Sequence, residues 1–230
     1  MKTKAYTTSD VTLPFSAISL TKASFCVVTG RPGMGVTSYI KEIIQQNSSK
    51  CVAFFPSQLE DSSFRSENPL VHFEYEQLWD IETLKHALAL TIERKQPDFI
   101  IIDGIERLVS LSSGKDWKRQ AIEVLQSVYW VCKEHELTLI ISAHLYSSAD
   151  ERGGARYPEL QDLKNPFLEI FPDVVLGIYQ ASVYGIVTDV SGNDPGDIAK
   201  LFALKNSFGP LRVYDCRVDN ENVPFLSKIK

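Results

Sequence analysis

The sequence predicts an α/β domain: a central, mostly parallel twisted sheet flanked by helices, with antiparallel strands added at the C-terminal end. Three observations carry this. An apolar run, Phe25 to Val28, enters a Gly/Pro turn and then a helical pattern that starts near Val36. Strand-like and amphipathic stretches alternate from there to about residue 141, as in parallel strands joined by crossover helices. After residue 173 the stretches are strand-like throughout and divided by turns.

Taken in order, residues 1–23 are polar and rich in Ser and Thr, with Val11, Leu13, Phe15, Ile18 and Leu20 scattered through them. They read as an entry arm with one short strand packing on a single domain over 24–230. Ile40, Ile43 and Ile44 fall at i, i+3 and i+4, which predicts an amphipathic helix from Thr37 to Gln46; Asn47-Ser-Ser49 ends it. Cys51 to Phe55 is an apolar run stopped by Pro56 and reads as a buried strand. Residues 57–69 are polar, loop or weak helix, and the alternation over Leu70 to Tyr75 suggests a further strand. Leu84, Leu88 and Ile92 recur at fourfold spacing within a helix from Ile81 to Arg94, with Asp80 as its cap.

Pro97-Asp-Phe-Ile-Ile-Ile-Asp103 is an apolar strand that ends in an acid. Residues 110–116 form a connection. Trp117 to Glu134 then carries Ile122, Leu125, Val128, Tyr129 and Cys132 on one helical face. Leu137 to Ile141 is the next buried strand, ending at Ser142-Ala-His144, and a polar, glycine-bearing loop spans 147–158. Val174 to Tyr179, Ser182 to Thr188, Ile198 to Lys205 and Leu211 to Val218 read as the closing strands, with Ser191-Gly-Asn-Asp-Pro-Gly196 as the main turn among them.

Bulk composition narrows the function. A chain of 230 residues with 44% hydrophobic content can bury a full core. Its net charge of −5 supplies no overall basic field, so nucleic acid would have to be met by local patches. Lys2 and Lys4 are followed by no apolar region, so a secretory signal is not expected. No apolar run approaches the ~18 residues of a membrane span. Cys26, Cys51, Cys132 and Cys216 fit neither a metal spacing nor a disulfide framework, and reduced thiols in a cytoplasmic protein are the simplest reading.

The central stretch has the spacing of a phosphate-binding P-loop, G-x-x-x-x-G-K-[ST], over Gly30, Arg31, Pro32, Gly33, Met34, Gly35, Val36, Thr37 and Ser38. Glycines let the backbone curl so that its N–H groups face an anion at a helix N-terminus. The expected lysine is Val36, which has no charge to offer a phosphate. Thr37 stands where a P-loop hydroxyl ligates Mg2+, and Asp103 where an acid holds that ion through water. The plain alternatives are a helix cap for Thr37 and an acid before a turn for Asp103. The joint occurrence of Gly30, Gly35, Thr37 and Asp103 in the right order favours descent from a nucleotide-binding fold.

Gly30-Arg-Pro-Gly-Met-Gly-Val-Thr37 resembles the loop of hexameric replicative helicases of the DnaB type, G/A-R-P-S/G-M-G-K-T. Phe99-Ile-Ile-Ile-Asp103 resembles the family's Walker B strand, and Ile140-Ile-Ser-Ala-His-Leu145 its strand ending in Ser-Gln-Leu. Leu160-Gln-Asp-Leu-Lys164 with Pro172-Asp-Val-Val-Leu-Gly-Ile-Tyr179 is similar to its D-L-R…A-D-V-V-xx-L-Y block. Leu204-Lys-Asn-Ser-Phe-Gly-Pro210 is similar to its late K-x-R-x-G-P finger and to the K-N-R-F-G element of RadA recombination proteins. The resemblance runs from about Leu13 to Phe225 and implies a RecA-like P-loop NTPase fold of superfamily 4, corresponding to the motor domain alone.

The departures fall on the chemistry. Val36 replaces the lysine. Gln58 stands nearest the place of the glutamate that polarises the attacking water, with Glu60 two residues on. His144 replaces the γ-phosphate sensor glutamine. Lys205 is retained in the finger, but the arginine position is Ser207, and such an arginine contributes ~10³ or more in related phosphoryl transfers. The resemblance therefore implies a degenerate helicase ATPase domain, weak or inactive in hydrolysis, that binds ATP and Mg2+ weakly and serves DNA replication or recombination. It also implies partners: single-stranded DNA at Lys118, Arg119, Arg152 and Arg156, further copies of the chain, or an active helicase or primase. Two other readings stand beside it. One is a working DNA-dependent ATPase that borrows a cation from Arg31, Lys41 or a neighbour's Lys205; the other is an interaction module that binds neither nucleotide nor DNA.

Overall fold

The computed structural model describes residues 10–56, 70–73, 81–105, 117–145, 156–163, 165–186, 198–219 and 225–228. A hairpin of β1 (Val11–Thr12) and β2 (Ser19–Leu20) precedes the central strand β3 (Phe25–Gly30), which is buried along its whole length. Helix α1 (Val36–Gln46) leads to β4 (Val52–Phe55) and β5 (Val71–Phe73). Then follow α2 (Ile81–Lys95), β6 (Phe99–Ile102), α3 (Trp117–Glu134) and β7 (Thr138–His144). The C-terminal part holds α4 (Pro166–Ile170), β8 (Val174–Gln180), β9 (Ile198–Asn206), β10 (Val213–Asp219) and β11 (Phe225–Lys228).

The strands form a sheet in the order β11-β10-β9-β8-β3-β7-β6-β4-β5. Every pairing from β8 through β3, β7, β6 and β4 to β5 is parallel, and β8 to β11 pair antiparallel, as the sequence predicts. Alternation along β3 divides the core. Cys26 and Val28 face the layer of α1 and the β1–β2 hairpin, whereas Phe25 and Val27 face the layer of α2, α3 and α4. A buried side chain of the size of Phe25 or Phe99 contributes about 1.5–3 kcal/mol relative to exposure. The parallel strands end on one edge, so the residues just after β3, β6 and β7 share a crevice.

Several elements differ from expectation. Leu13 and Leu20 are fully buried and Val11 and Ile18 nearly so, because the residues read as an arm form a hairpin inside the first core layer. The strand expected over Ser182–Thr188 is instead a 3-10 turn at Ala181–Tyr184, closed by Gly185 in the left-handed region. β3 and β9 already fill the two sides of β8, so the residues that follow it turn away from β8. β7 continues past Ile141 to His144. α4 and β11 have no counterpart in the sequence pattern; α4 is short, and Asn165 caps it by accepting from the Phe167 and Leu168 N–H groups. Asp80, the segments 57–69 and 110–116, most of the 147–158 loop, residues 187 and 188, and the 191–196 turn lie outside the described residues. No helix among the described residues is long and apolar enough to cross a membrane.

None of the four cysteines is in a disulfide, and Cys26, Cys132 and Cys216 are buried. Burial pushes the thiols of Cys132 and Cys216 up to about 12, Asp215 adding to the effect at Cys216, and raises Cys26 further. A thiol so far from ionising is a poor nucleophile at neutral pH. Iodoacetamide at pH 8 is expected to label only half-buried Cys51 in the folded protein and all four in denaturant, as read by peptide mass spectrometry.

Candidate functional site

Between β3 and α1 the chain makes the tight turn that the glycine spacing predicts. The Met34 N–H donates to the Arg31 carbonyl, 3.1 Å, and Gly33 and Gly35 take positive φ values of 86° and 80°. Gly35 is the residue before α1, so Thr37 lies inside the first turn of the helix and is not its cap. Ser38 follows, half-buried. Close approach explains Gly30: a Cβ there would lie 3.0 Å from Val36 Cγ2 and 3.2 Å from the Ile178 carbonyl oxygen. Val36 itself is 7% exposed and belongs to the core under α1. Its side chain folds back against the end of β3.

Thr37 points the other way. Its Oγ1 donates to Asp103 Oδ2 at 3.2 Å, across 66 residues of sequence. Asp103 follows β6, and its backbone N–H bonds the Phe55 carbonyl, 2.9 Å. The second carboxylate oxygen, Oδ1, accepts from Ser142 Oγ on β7, and Ser142 accepts in turn from the Gly104 N–H at 2.6 Å. Register places His144 beside Gly30 in the β3–β7 ladder, exposed at the foot of the loop. Thr37, Asp103 and His144 thus gather around the loop.

On the side of β8, Gln180 holds the loop. It is buried, and its Nε2 donates to the Met34 carbonyl at 3.4 Å. The next residues form the 3-10 turn, and there an open groove of about 450 Å3 is lined by Arg31, Pro32, Arg156, Val183 and Tyr184. Arg31 Nη1 donates to the Leu145 carbonyl, 3.0 Å. The Arg156 guanidinium stands 5.3 Å from the centre of the Tyr184 ring, and Tyr157 packs against Tyr179 and Phe202. Arg156 has a φ of 55°, a strained conformation for a bulky residue. Two guanidinium groups and an aromatic face therefore border the phosphate loop, and the cationic charge absent at position 36 lies at its rim.

The other site candidates lie elsewhere. Lys205 pairs with Val175, near the start of β8, about 10 Å of strand rise from the level of Gly30. Its amine donates to the Glu169 and Ile170 carbonyls at the end of α4, away from its own loop. Exposed Ser207 sits beyond it, its N–H on the Asp173 carbonyl. Arg119, in the first turn of α3, is exposed and bridges Glu123 at 3.0 Å. Lys118 lies beside it in sequence, and Gln58, Glu60 and Arg152 are outside the described residues.

Solved structures share this architecture. A DnaB-like replicative helicase, described with its interactions with primase, superposes with a TM-score of 0.75 at 14% identity. The match covers 91% of this chain and 58% of that one. A second solved structure, an ATPase domain on its own, gives 0.74 at 13% identity, over 91% of this chain and 86% of the other. The fold is that of DnaB-like helicase ATPase domains. This chain accordingly spans little more than half the length of the DnaB-like helicase. The sequence matches no protein-family profile and no curated protein.

Ser142, Gln180 and Tyr184 border or support the candidate site and are not singled out by the sequence pattern. A polar residue at the end of an otherwise apolar strand is the available signal for the first two. For Tyr184 the expected strand conceals the turn that carries it. Gln180→Ala removes one buried hydrogen bond to the loop, ~1 kcal/mol. Tm is expected to fall by about 2–4 °C, measured by scanning calorimetry.

Proposed function

We propose that the chain is a RecA-like domain of the DnaB helicase superfamily that binds a nucleotide and a divalent cation weakly and is impaired in hydrolysis. One observation carries this reading: the Thr37–Asp103 contact is in place at the phosphate loop while Val36 is buried in the core. A hydroxyl and a carboxylate are hard oxygen donors that suit Mg2+, and Thr37 and Asp103 would hold it. When bound, the ion offsets charge on the phosphates. The loop's backbone N–H groups orient the same phosphates, and the Arg31–Tyr184 groove supplies a rim of cations and an aromatic face for the rest of the nucleotide. What is missing is the cation at position 36, where Val36 stands, and electrostatic stabilisation of that kind is usually the largest part of catalysis.

The role in DNA replication or recombination, with single-stranded DNA, further copies of the chain, or an active helicase or primase as partner, rests on the likeness to DnaB-like domains. The orientation of Lys205 supports impaired rather than substituted catalysis, since its amine is already bonded to the end of α4. Pure protein incubated with ATP and Mg2+, with and without single-stranded DNA, is expected to release no phosphate above the blank. Sustained turnover that disappears in Thr37→Val would overturn impaired hydrolysis and establish the borrowed-cation ATPase.

A further inference from the structure

We propose that Ser142 is a positioning residue that presents Asp103 to a divalent cation through a single oxygen. The inference rests on the nucleotide-and-metal reading above and concerns how the chain shapes that site. β6 and β7 run side by side with Ile102 opposite Ile141, so Asp103 and Ser142 stand abreast at the crevice. Ser142 is 1% exposed, a hydroxyl held in the sheet beneath the loop. Gly104 turns back at a φ of 74°, a left-handed conformation that glycine adopts readily, and this sets its N–H 2.6 Å from Ser142 Oγ.

The direction of the proton follows. The Gly104 N–H can only donate, so it takes a lone pair of the serine oxygen, and the serine hydroxyl is left to donate to Asp103 Oδ1. A hydroxyl bonded to a carboxylate in a buried setting makes a strong, charge-assisted contact. Without it, the terminal torsion of an aspartate is broad and either oxygen can turn outward. With it, Oδ1 is occupied on the sheet side and Oδ2 faces Thr37 Oγ1, 3.2 Å away. A cation held by Thr37 and Asp103 would meet a carboxylate already aimed. Because position 36 offers no charge, that cation carries a larger share of the phosphate interaction here than in a loop with a lysine, and the aim of Asp103 matters correspondingly more.

The test reads metal uptake rather than turnover. Mn2+ is titrated into wild type and Ser142→Ala in the presence of a non-hydrolysable ATP analogue, and bound ion is counted from the loss of the free-Mn2+ paramagnetic resonance signal. A parallel calorimetric titration of the analogue in chelator gives metal-free nucleotide binding. Ser142→Ala is expected to take up Mn2+ at least tenfold more weakly while metal-free analogue binding stays within twofold of wild type. Ser142→Cys, of nearly the same volume but a weak donor, is expected to behave likewise and replaces the alanine variant should that one not fold. Equal Mn2+ uptake by wild type and either folded variant overturns the role of Ser142 and leaves the metal reading standing. If wild type takes up no Mn2+ at all, both the role of Ser142 and the metal reading fall.

Discussion

Val36→Lys is expected to tighten binding of a non-hydrolysable ATP analogue by about one to two orders of magnitude. The size follows from one charge-assisted hydrogen bond to a phosphate, ~1.5–3 kcal/mol. Gly30, Gly33 and Gly35 already shape the loop, and Thr37 and Asp103 already face each other, so the substitution adds the one missing group to a prepared site. It also carries a cost. Val36 packs in the core under α1 at 7% exposure, and a lysine there keeps the first carbons but forfeits the branched packing against Gly30. That loss is ~1–2 kcal/mol, so Tm without ligand is expected to fall by about 2–8 °C and to recover when the analogue is present. Scanning calorimetry and titration calorimetry on the same preparation read both effects. Lower stability with unchanged affinity would mean that the loop is not shaped for a phosphate.

Asn47→Ala is expected to be among the most damaging single substitutions outside the site. Asn47 ends α1 and is 4% exposed. Its Oδ1 accepts from the Thr12 N–H at 3.1 Å, and its Nδ2 donates to the Thr12 carbonyl at 2.9 Å and to the Ile43 carbonyl at 2.8 Å. One side chain thus completes the backbone bonding of β1 and stitches the N-terminal hairpin to the helix that follows the phosphate loop. Alanine leaves those backbone groups in the interior without these partners, ~2–4 kcal/mol in all, which corresponds to a fall in Tm of about 5–15 °C. Thermal unfolding followed by circular dichroism checks it. A shift below about 2 °C would show that residues 10–20 are the loosely attached arm that their polar composition suggests.

These two predictions separate what the sequence reveals from what it conceals. The run from Phe25 to Gln46 is legible because its determinants are local: an apolar strand, glycines at fixed spacing, and isoleucines at helical period. Asp103 is legible for the same reason, as an acid closing an apolar run. Burial of the hairpin is not. Val11 with Leu13 and Ile18 with Leu20 keep strand spacing, but the runs are too short and too deep in a polar stretch to mark a buried hairpin, and contact with Asn47 and Tyr39, some 25 to 35 residues away in sequence, reveals their place. The site's supports lie further still, with Ser142 39 residues from Asp103 and Gln180 146 from Met34. The family resemblance groups Arg156 with Lys118, Arg119 and Arg152 as expected DNA contacts, and the fold sets it beside the Gly30–Ser38 loop, because Tyr157 packs on Tyr179 and Phe202. The resemblance of residues 204–210 to the family's finger points to Lys205, but the direction of its amine depends on α4, a helix too short to announce itself.

Titration calorimetry of wild-type protein with a non-hydrolysable ATP analogue, with Mg2+ and then with chelator, tests the central claim most directly. A weak, metal-dependent site requires saturable binding in the micromolar to millimolar range that weakens without Mg2+ and in Asp103→Asn. No binding heat at millimolar analogue, or binding that neither Mg2+ removal nor Asp103→Asn affects, would contradict it.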